Sequence, residues 1–303
     1  MNIIHITNVN ELSISNNQLI MIDERNNDKK VSKIALNDVL AIVIENCRCR
    51  ISAVLQVRLS EKNIPLIICN ERYQPVLQFL GLYNHYQVTM RINEQIKWGD
   101  LKKEKFWSKI VIQKIKHQRE LLKFLEKSEN IISKLELYGK NIFEENKDAE
   151  HQKAIAARMY FQELFGEKFK RFNDDGVNSA LNYGYVILRS IISMKIVAKG
   201  FHPSLGIHHC SQFNNYNFAD DIIEIFRPMI DYIVYFNQKE EIELSKELRQ
   251  KLLLVLSQKV YWKNKKYDLS QVIDYYLDNI RNYFLDENVE IEIPELRIEL
   301  YEY

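Results

Sequence analysis

Glycine and proline are scarce in this chain, eight and five among 303 residues, which disfavours a loop-rich all-β design and leaves room for long helices. The four cysteines, Cys47, Cys49, Cys69 and Cys210, show no C-x-x-C spacing. They read as reduced thiols, which excludes a disulfide scaffold and argues against a zinc site, although Cys47 and Cys49 would share one face if "ENCRCR" is extended. No apolar run approaches the ~20 residues needed to cross a bilayer, and "MNIIHITNVNELSIS" lacks a basic region followed by an apolar stretch. The expectation is a cytoplasmic protein with no membrane partner. Internal repeats and low-complexity tracts are also missing.

What is present is an ordinary globular composition, 46% hydrophobic and 27% charged, in a chain long enough for two domains. The net charge of +1 is a sum over unequal parts. Ten Lys/Arg stand against four Asp/Glu from Lys97 to Lys127, while seven acids stand against Arg297 from Asp286 to Tyr303. Such asymmetry fits a basic surface for nucleic acid, and equally a solvated helix face.

Residues 1–82 read as strands: "NIIHIT", "LSIS", "QLIMID", "VSKIAL", "VLAIVIE", "IPLIICN" and "PVLQFL" are short, β-branched and separated by Asn, Asp and Pro. "VLAIVIE" and "PLIIC" are nearly continuous apolar runs and should be buried on both faces. "ISAVLQVRLSEKN" between them has the spacing of one amphipathic helix, so this part is expected to be a β-sandwich or curled sheet carrying a single helix. Residues 83–100 read as a linker. Beyond it, 101–303 read as helical, with an acidic tail. "FWSKIVIQKIKHQRELLKFLEKS" sets Trp107, Ile110, Ile115, Leu121, Leu122 and Leu125 near one stripe, with Lys and Arg elsewhere. Further helices are expected at about 151–166, 177–199, 219–237, 246–258 and 270–284, the third of these five segments being 219–237 and the second ending at Gly200 and Pro203. The fold class is α+β: a small N-terminal β-rich domain followed by a larger all-α domain.

The stretch "GIHHCSQFNNYNFADDIIEIFRP", 206–228, carries the densest chemistry. On a helix, Asp221 and Glu224 three apart, and Asp220 and Glu224 four apart, share a face, while Ile222, Ile223 and Phe226 pack. Carboxylates so placed repel unless a divalent cation, a Lys or Arg, or solvent lies between them. With His208 or His209 ahead of them they offer oxygen donors and an imidazole to Mg2+ or Mn2+. Equally, acids in a first helical turn complement the helix dipole. Pro228 is expected to kink or end the helix.

Four blocks, "AARMYFQELFG", "LNYGYVILRS", "LGIHH" and "FNNYNFADDIIEIFRP", together resemble the signature of the CRISPR-associated integrase family ("Cas one"), especially its type II versions. The resemblance implies a homodimer that joins a small "Cas two" companion, holds double-stranded DNA and inserts the captured fragment into the CRISPR repeat. The implied chemistry is transesterification by a DNA 3′-hydroxyl, aided by Mg2+ or Mn2+. On this resemblance His209 is the metal histidine, Glu224 a metal carboxylate, and Asp221 a further catalytic acid holding a metal-bound water or an outer group. Arg227 would contact a DNA phosphate or pair with a nearby acid.

One position departs from the pattern. The family's glutamate lies seven residues before the Tyr-Phe pair, here Tyr160 and Phe161, so Lys153 occupies it. A protonated lysine has donors and no acceptor, and repels a metal ion. Glu150, one helical turn earlier, substitutes as ligand, or the lysine neutralises the acids directly and leaves a catalytically impaired DNA-binding scaffold, or the sequence is a variant that has lost activity. Lys168, Lys170 and Arg171 form a basic loop able to meet phosphates. Gly184, between Tyr183 and Tyr185, reads as close helix packing or as an approach to DNA, and Asn182 as a positioning group for the site's loop or a partner for buried backbone.

Overall fold

The β-branched runs of the first eighty residues form two four-stranded sheets in the computed structural model, which describes residues 2–25, 28–79, 81, 85–145, 149–238 and 244–297. The elements are β1 (Asn2–Ile6), β2 (Glu11–Ser15), β3 (Gln18–Arg25), β4 (Asp28–Ala35), β5 (Val39–Ile44), β6 (Arg50–Ile51), α1 (Ala53–Glu61), β7 (Leu66–Cys69) and β8 (Pro75–Phe79). One sheet runs β4-β3-β2-β6, the other β1-β5-β7-β8. In the second, β1, β5 and β7 are parallel and β8 is antiparallel. Ile42 and Ile44 of β5 enter a core with Leu12, Leu19, Leu55 and Leu59, whereas Ala41 and Val43 join the core of the helical part. That two-sided burial is why β5 lacks polar alternation.

The helical part comprises α2 (Val88–Ile96), α3 (Asp100–Phe124), α4 (Glu129–Glu145), α5 (Ala149–Phe165), α6 (Gly176–Ala198), α7 (Asn217–Ile223), α8 (Arg227–Asn237), α9 (Lys246–Leu253) and α10 (Leu269–Leu285). α6 is its centre, with most of its residues buried. At Gly184 a Cβ would meet Ile230 Cγ2 at 2.6 Å and Leu252 Cδ2 at 3.2 Å, so this glycine lets α6 touch α8 and α9. Gly200, at φ +81°, ends α6 with Phe201 N–H returning to the Ile196 carbonyl at 3.0 Å.

Three sequence expectations change here. The span 83–100 carries α2, and Gln95 on it is buried with its amide donating to the carbonyls of His202 (3.0 Å) and Leu205 (2.6 Å). The span 219–237 is two helices, because a continuous one would need a Pro228 N–H for the Glu224 carbonyl. Pro228 instead sits in the first turn of α8, where no such bond is made. Thirdly, the helical part contains a β-hairpin, β9 (Lys259–Trp262) with β10 (Lys265–Asp268), and Tyr261 bridges to Glu295.

The two charge blocks answer each other: Lys102 pairs with Glu287 at 3.0 Å and Lys116 with Glu295 at 3.2 Å. Part of the basic excess on α3 is therefore internally neutralised. Among the described residues no helix is long and apolar enough to cross a membrane.

Candidate functional site

The loop 206–210 closes around one carboxylate. Asp221, fully buried on α7, accepts the backbone N–H groups of Ile207 (2.5 Å), His208 (3.1 Å) and His209 (3.1 Å). It also takes the His209 ring through Nδ1 at 2.8 Å. Since the carboxylate only accepts, Nδ1 is the donor of this bond, which fixes the orientation of the ring. Gly206 makes the turn possible, as a Cβ there would lie 2.1 Å from the His209 carbonyl oxygen. Asp221 thus orients His209 and has little capacity left for a ligand of its own.

The three acids of the stretch do not form a cluster. Asp220 turns to Asn214 (2.8 Å) and Arg189 (3.7 Å), and Asp221 to the loop. Glu224 lies in the break between α7 and α8, buried, where it forms an ion pair with Lys114 of α3 and meets Arg227 at 3.4 Å. Burial alone would raise the Glu224 pKa, but Arg227, Lys114 and Lys153 hold it well below the usual carboxylate range.

α3 supplies the floor. Trp107 stacks on His208 (4.1 Å between centroids, 3° between planes) and meets His209 edge-on at 5.5 Å. One turn beyond Lys114, His117 Nδ1 donates to the Ile225 carbonyl at 2.9 Å, and its Nε2 accepts the Leu296 N–H at 3.1 Å. Burial pushes the His117 pKa down to about 4, so it stays a neutral staple for the helix break. Lys153, on α5, places its ammonium 4.5 Å from the Trp107 ring centre. Trp107 thus meets both His209 and Lys153, and Lys153 in turn acts electrostatically on Glu224.

Of the remaining expected residues, Arg171 donates to Asn178 (2.9 Å) and Asn182 (2.7 Å), which gives Asn182 its partner. Its guanidinium covers the Tyr185 ring at 5.2 Å, and Arg227 covers the same ring at 4.8 Å. Lys168 and Lys170 are exposed on the loop after α5. Glu150 belongs to α5, but its side chain lies outside the described residues.

Sequence reasoning missed Lys114 and His117. Amphipathic reading puts Lys outward, yet Lys114 stands four residues after Ile110 and seven after Trp107, on the buried stripe. A charged residue at a stripe position was the available signal.

Among the described residues no group of three or more His, Cys, Asp or Glu side chains converges as metal ligands. Glu224 is already matched by Lys114 and Arg227, and Lys153 adds a further positive charge. Among the described residues the surroundings of Glu224 are thus cationic, while Glu150, the substitute ligand expected from the sequence, has its side chain outside them.

A family model described as CRISPR associated protein Cas1 matches residues 4–253. The chain belongs to the Cas1 family. The CRISPR-associated endonuclease Cas1 of Neisseria meningitidis serogroup C (strain 8013) is 30% identical over 303 residues, 98% of this chain and 97% of that protein. CRISPR-associated endonuclease Cas1 1 of Francisella tularensis subsp. novicida (strain U112) is 25% identical over 307 residues, 91% and 93% of the two chains. In fold, a casposase bound to integration product aligns with TM-score 0.79 at 17% identity, covering all of this chain and 96% of that one. A Cas1 protein from Thermotoga maritima aligns with TM-score 0.74 at 17% identity, over 96% and 99%. A chain of a Cas6-RT-Cas1–Cas2 complex aligns with TM-score 0.73 at 18% identity, over 98% of this chain and 36% of that one. The family resemblance read from the four sequence blocks is confirmed, as is the α+β class. Relatives in this family carry the name endonuclease.

Proposed function

We propose that the chain serves CRISPR adaptation as a DNA-capturing Cas1-family subunit whose metal-dependent chemistry is impaired. Two copies with a Cas2-type companion would hold a double-stranded fragment and bring it to the CRISPR repeat. The observation that carries the impairment is the surrounding of Glu224 by Lys114, Arg227 and Lys153, a donor set that repels a divalent cation.

A second reading is the competent enzyme: a metal-dependent integrase and endonuclease that inserts spacers by transesterification, with Mg2+ or Mn2+ on His209 and Glu224. It is favoured by the kept His209–Asp221 pair and by Glu150 standing one turn before Lys153 on α5. Cleavage of branched DNA during a manganese titration separates the two. Binding without turnover, with cleavage gained by Lys153→Glu, supports the impaired reading. Manganese-dependent cleavage by the unaltered chain that His209→Ala abolishes would establish the competent enzyme instead.

A further inference from the structure

We infer that Phe172 and Phe213 are stacking platforms for unpaired bases at the end of a DNA strand, carried on two loops that border one strip of α6. The inference rests on the DNA-capturing reading above and deepens it by naming the groups that receive a strand end.

Both rings stand where an apolar side chain gains nothing from the fold: Phe172 is 98% exposed and Phe213 88%. Loose loops are not the cause. After α5, Phe169 turns inward against Phe161 (5.7 Å between centroids) and Phe165 (5.1 Å), and the Asn178 side chain donates to the Lys170 carbonyl at 2.9 Å. Arg171 is fixed on α6 by the side-chain oxygens of Asn178 and Asn182, and Asp175 caps that helix by accepting the Asn178 N–H at 2.8 Å. Phe172 is left outside a segment pinned on both sides. Phe213 sits likewise between His209 and α7, where Asn217 donates to the Ser211 carbonyl at 2.9 Å and Asn214 to Asp220 at 2.8 Å. A ring held outward by a tethered loop loses little freedom when it meets a partner.

Asn182, Tyr185 and Arg189 fall at i, i+3 and i+7, on one face of α6. Arg171 and its loop lie at the Asn182–Tyr185 end. At the other end Arg189 covers the Tyr216 ring at 4.6 Å and meets Asp220 at 3.7 Å, which brings in the loop of Phe213. The step from Asn182 to Arg189 covers about 10 Å of helix. Arg227 shares the Tyr185 ring and His209 begins the second loop, so the strip runs beside the candidate site.

Charge does not choose the occupant. Lys168, Lys170 and Arg171 are balanced along their loop by Glu167, Asp174 and Asp175, and Arg189 is matched by Asp220. The rings choose it. A protein partner needs a contiguous apolar patch with few charges at its centre. Each ring here stands instead among polar neighbours, Arg171 and Asn173 beside Phe172, Gln212 and Asn214 beside Phe213. Separate rings in polar surroundings suit a single strand, whose bases each offer a flat face whatever the sequence. Bases inside a duplex are already stacked on one another, so only unpaired ones can be received.

The test uses the full chain with a blunt DNA duplex and with the same duplex carrying a few unpaired nucleotides at its 3′ or its 5′ end. Affinity is read by fluorescence anisotropy across a salt series. The unaltered chain should prefer an extended duplex to the blunt one. Phe172→Ala and Phe213→Ala should each weaken binding of the extended duplex by about 5- to 150-fold, the loss of one stacked base, and leave the blunt duplex unaffected. Phe172→Trp and Phe213→Trp should keep the preference. The salt slope should stay the same in all four variants, because no phosphate contact is lost. A 5-iodouracil in the extension should cross-link on irradiation to Phe172 or Phe213. Absence of any preference in the unaltered chain, or a preference that survives in the double alanine variant, overturns this inference while leaving DNA capture standing. So do alanine variants that bind both duplexes normally but lose association between copies in sedimentation, since the rings would then serve a protein contact. Failure of the unaltered chain to bind either duplex overturns both readings.

Discussion

Arg249 of α9 donates Nε to Glu45 Oε1 at 2.7 Å and Nη2 to Glu45 Oε2 at 2.9 Å, a bidentate pair between residues 204 positions apart. Glu45 follows β5, so this pair ties the parallel sheet to the helical part that holds the site. Tyr183 of α6 donates its hydroxyl to Glu45 Oε1 at 3.1 Å, and His5 Nε2 of β1 lies 2.9 Å from the same oxygen. Arg249 also covers the Tyr73 ring at 3.7 Å.

Removing one partner would leave a buried charge unmatched. Arg249→Met should cost about 3–5 kcal/mol, read from urea unfolding, and the double change with Glu45→Gln should cost less than the two single changes summed. Burial would raise the Glu45 pKa, but His5 and Arg249 lower it from 4.5 to about 2. Its contribution is therefore complete above pH 4.5 and is lost as pH falls toward about 2. Acid unfolding of Glu45→Gln should be flatter across that window; an unchanged slope would remove Glu45 as its source.

Asp231 has the opposite sign. It is fully buried on α8, where Tyr160 donates to Oδ2 at 2.8 Å and Tyr185 donates to Oδ1. Burial raises its pKa from 3.8 to about 6, with the two hydroxyls, Arg171 and Lys114 opposing. Between those values the folded chain keeps a proton that the unfolded chain has released, so stability declines as pH rises from 3.8 to about 6 and is flat above. Asp231→Asn should abolish that decline in unfolding free energy measured against pH, and Tyr185→Phe, by removing a hydrogen bond to the carboxylate, should move its upper limit higher.

The two halves of the fold were legible because their periodicities differ: β5 and β7 read as continuous apolar runs, and α3, α5, α6 and α10 as helical stripes. The hairpin β9–β10 was not, since its turn residues Lys263 and Asn264 take φ of 49° and 61° without the glycine that usually announces such a turn. Within the site, His209, Asp221, Glu224 and Arg227 came from one contiguous stretch, and the departure at Lys153 from a motif. Shared spacing suggested that Asp220, Asp221 and Glu224 act together, but Asp220 and Asp221, adjacent on α7, take different partners, and Glu224 lies past the end of that helix against Lys114. Lys114 and Trp107, 110 and 117 residues from Glu224, could be joined to the site only by tertiary packing.

Gly206→Ala tests whether the loop needs its present closure. The added methyl would lie 2.1 Å from the His209 carbonyl oxygen and 3.0 Å from Asp221 Oδ2, and neither neighbour can yield without opening the loop. The expected cost is about 1–3 kcal/mol in thermal unfolding. Near-ultraviolet circular dichroism should change with it, because Trp107 loses its ordered stack on His208, while the helical signal stays. Near-ultraviolet signal and stability both equal to those of the unaltered chain would show that the loop closes by another route.

Exposed cations and internally paired ones should differ in their hold on DNA. Lys116 is paired with Glu295 on α3, and Lys102 with Glu287, so phosphate contact by either requires giving up a protein partner. Lys168 and Lys170 are exposed on the loop that also carries Arg171, which shares the Tyr185 ring with Arg227 of the site. Each phosphate contact contributes about 1 to the salt slope of binding. Changing Lys168 and Lys170 together to Ala should therefore flatten the slope by about 2, with little effect on unfolding, whereas Lys116→Ala should leave the slope as it is. The reverse ranking would put the strand along α3, and would mean that the acidic C-terminal segment is displaced when DNA binds.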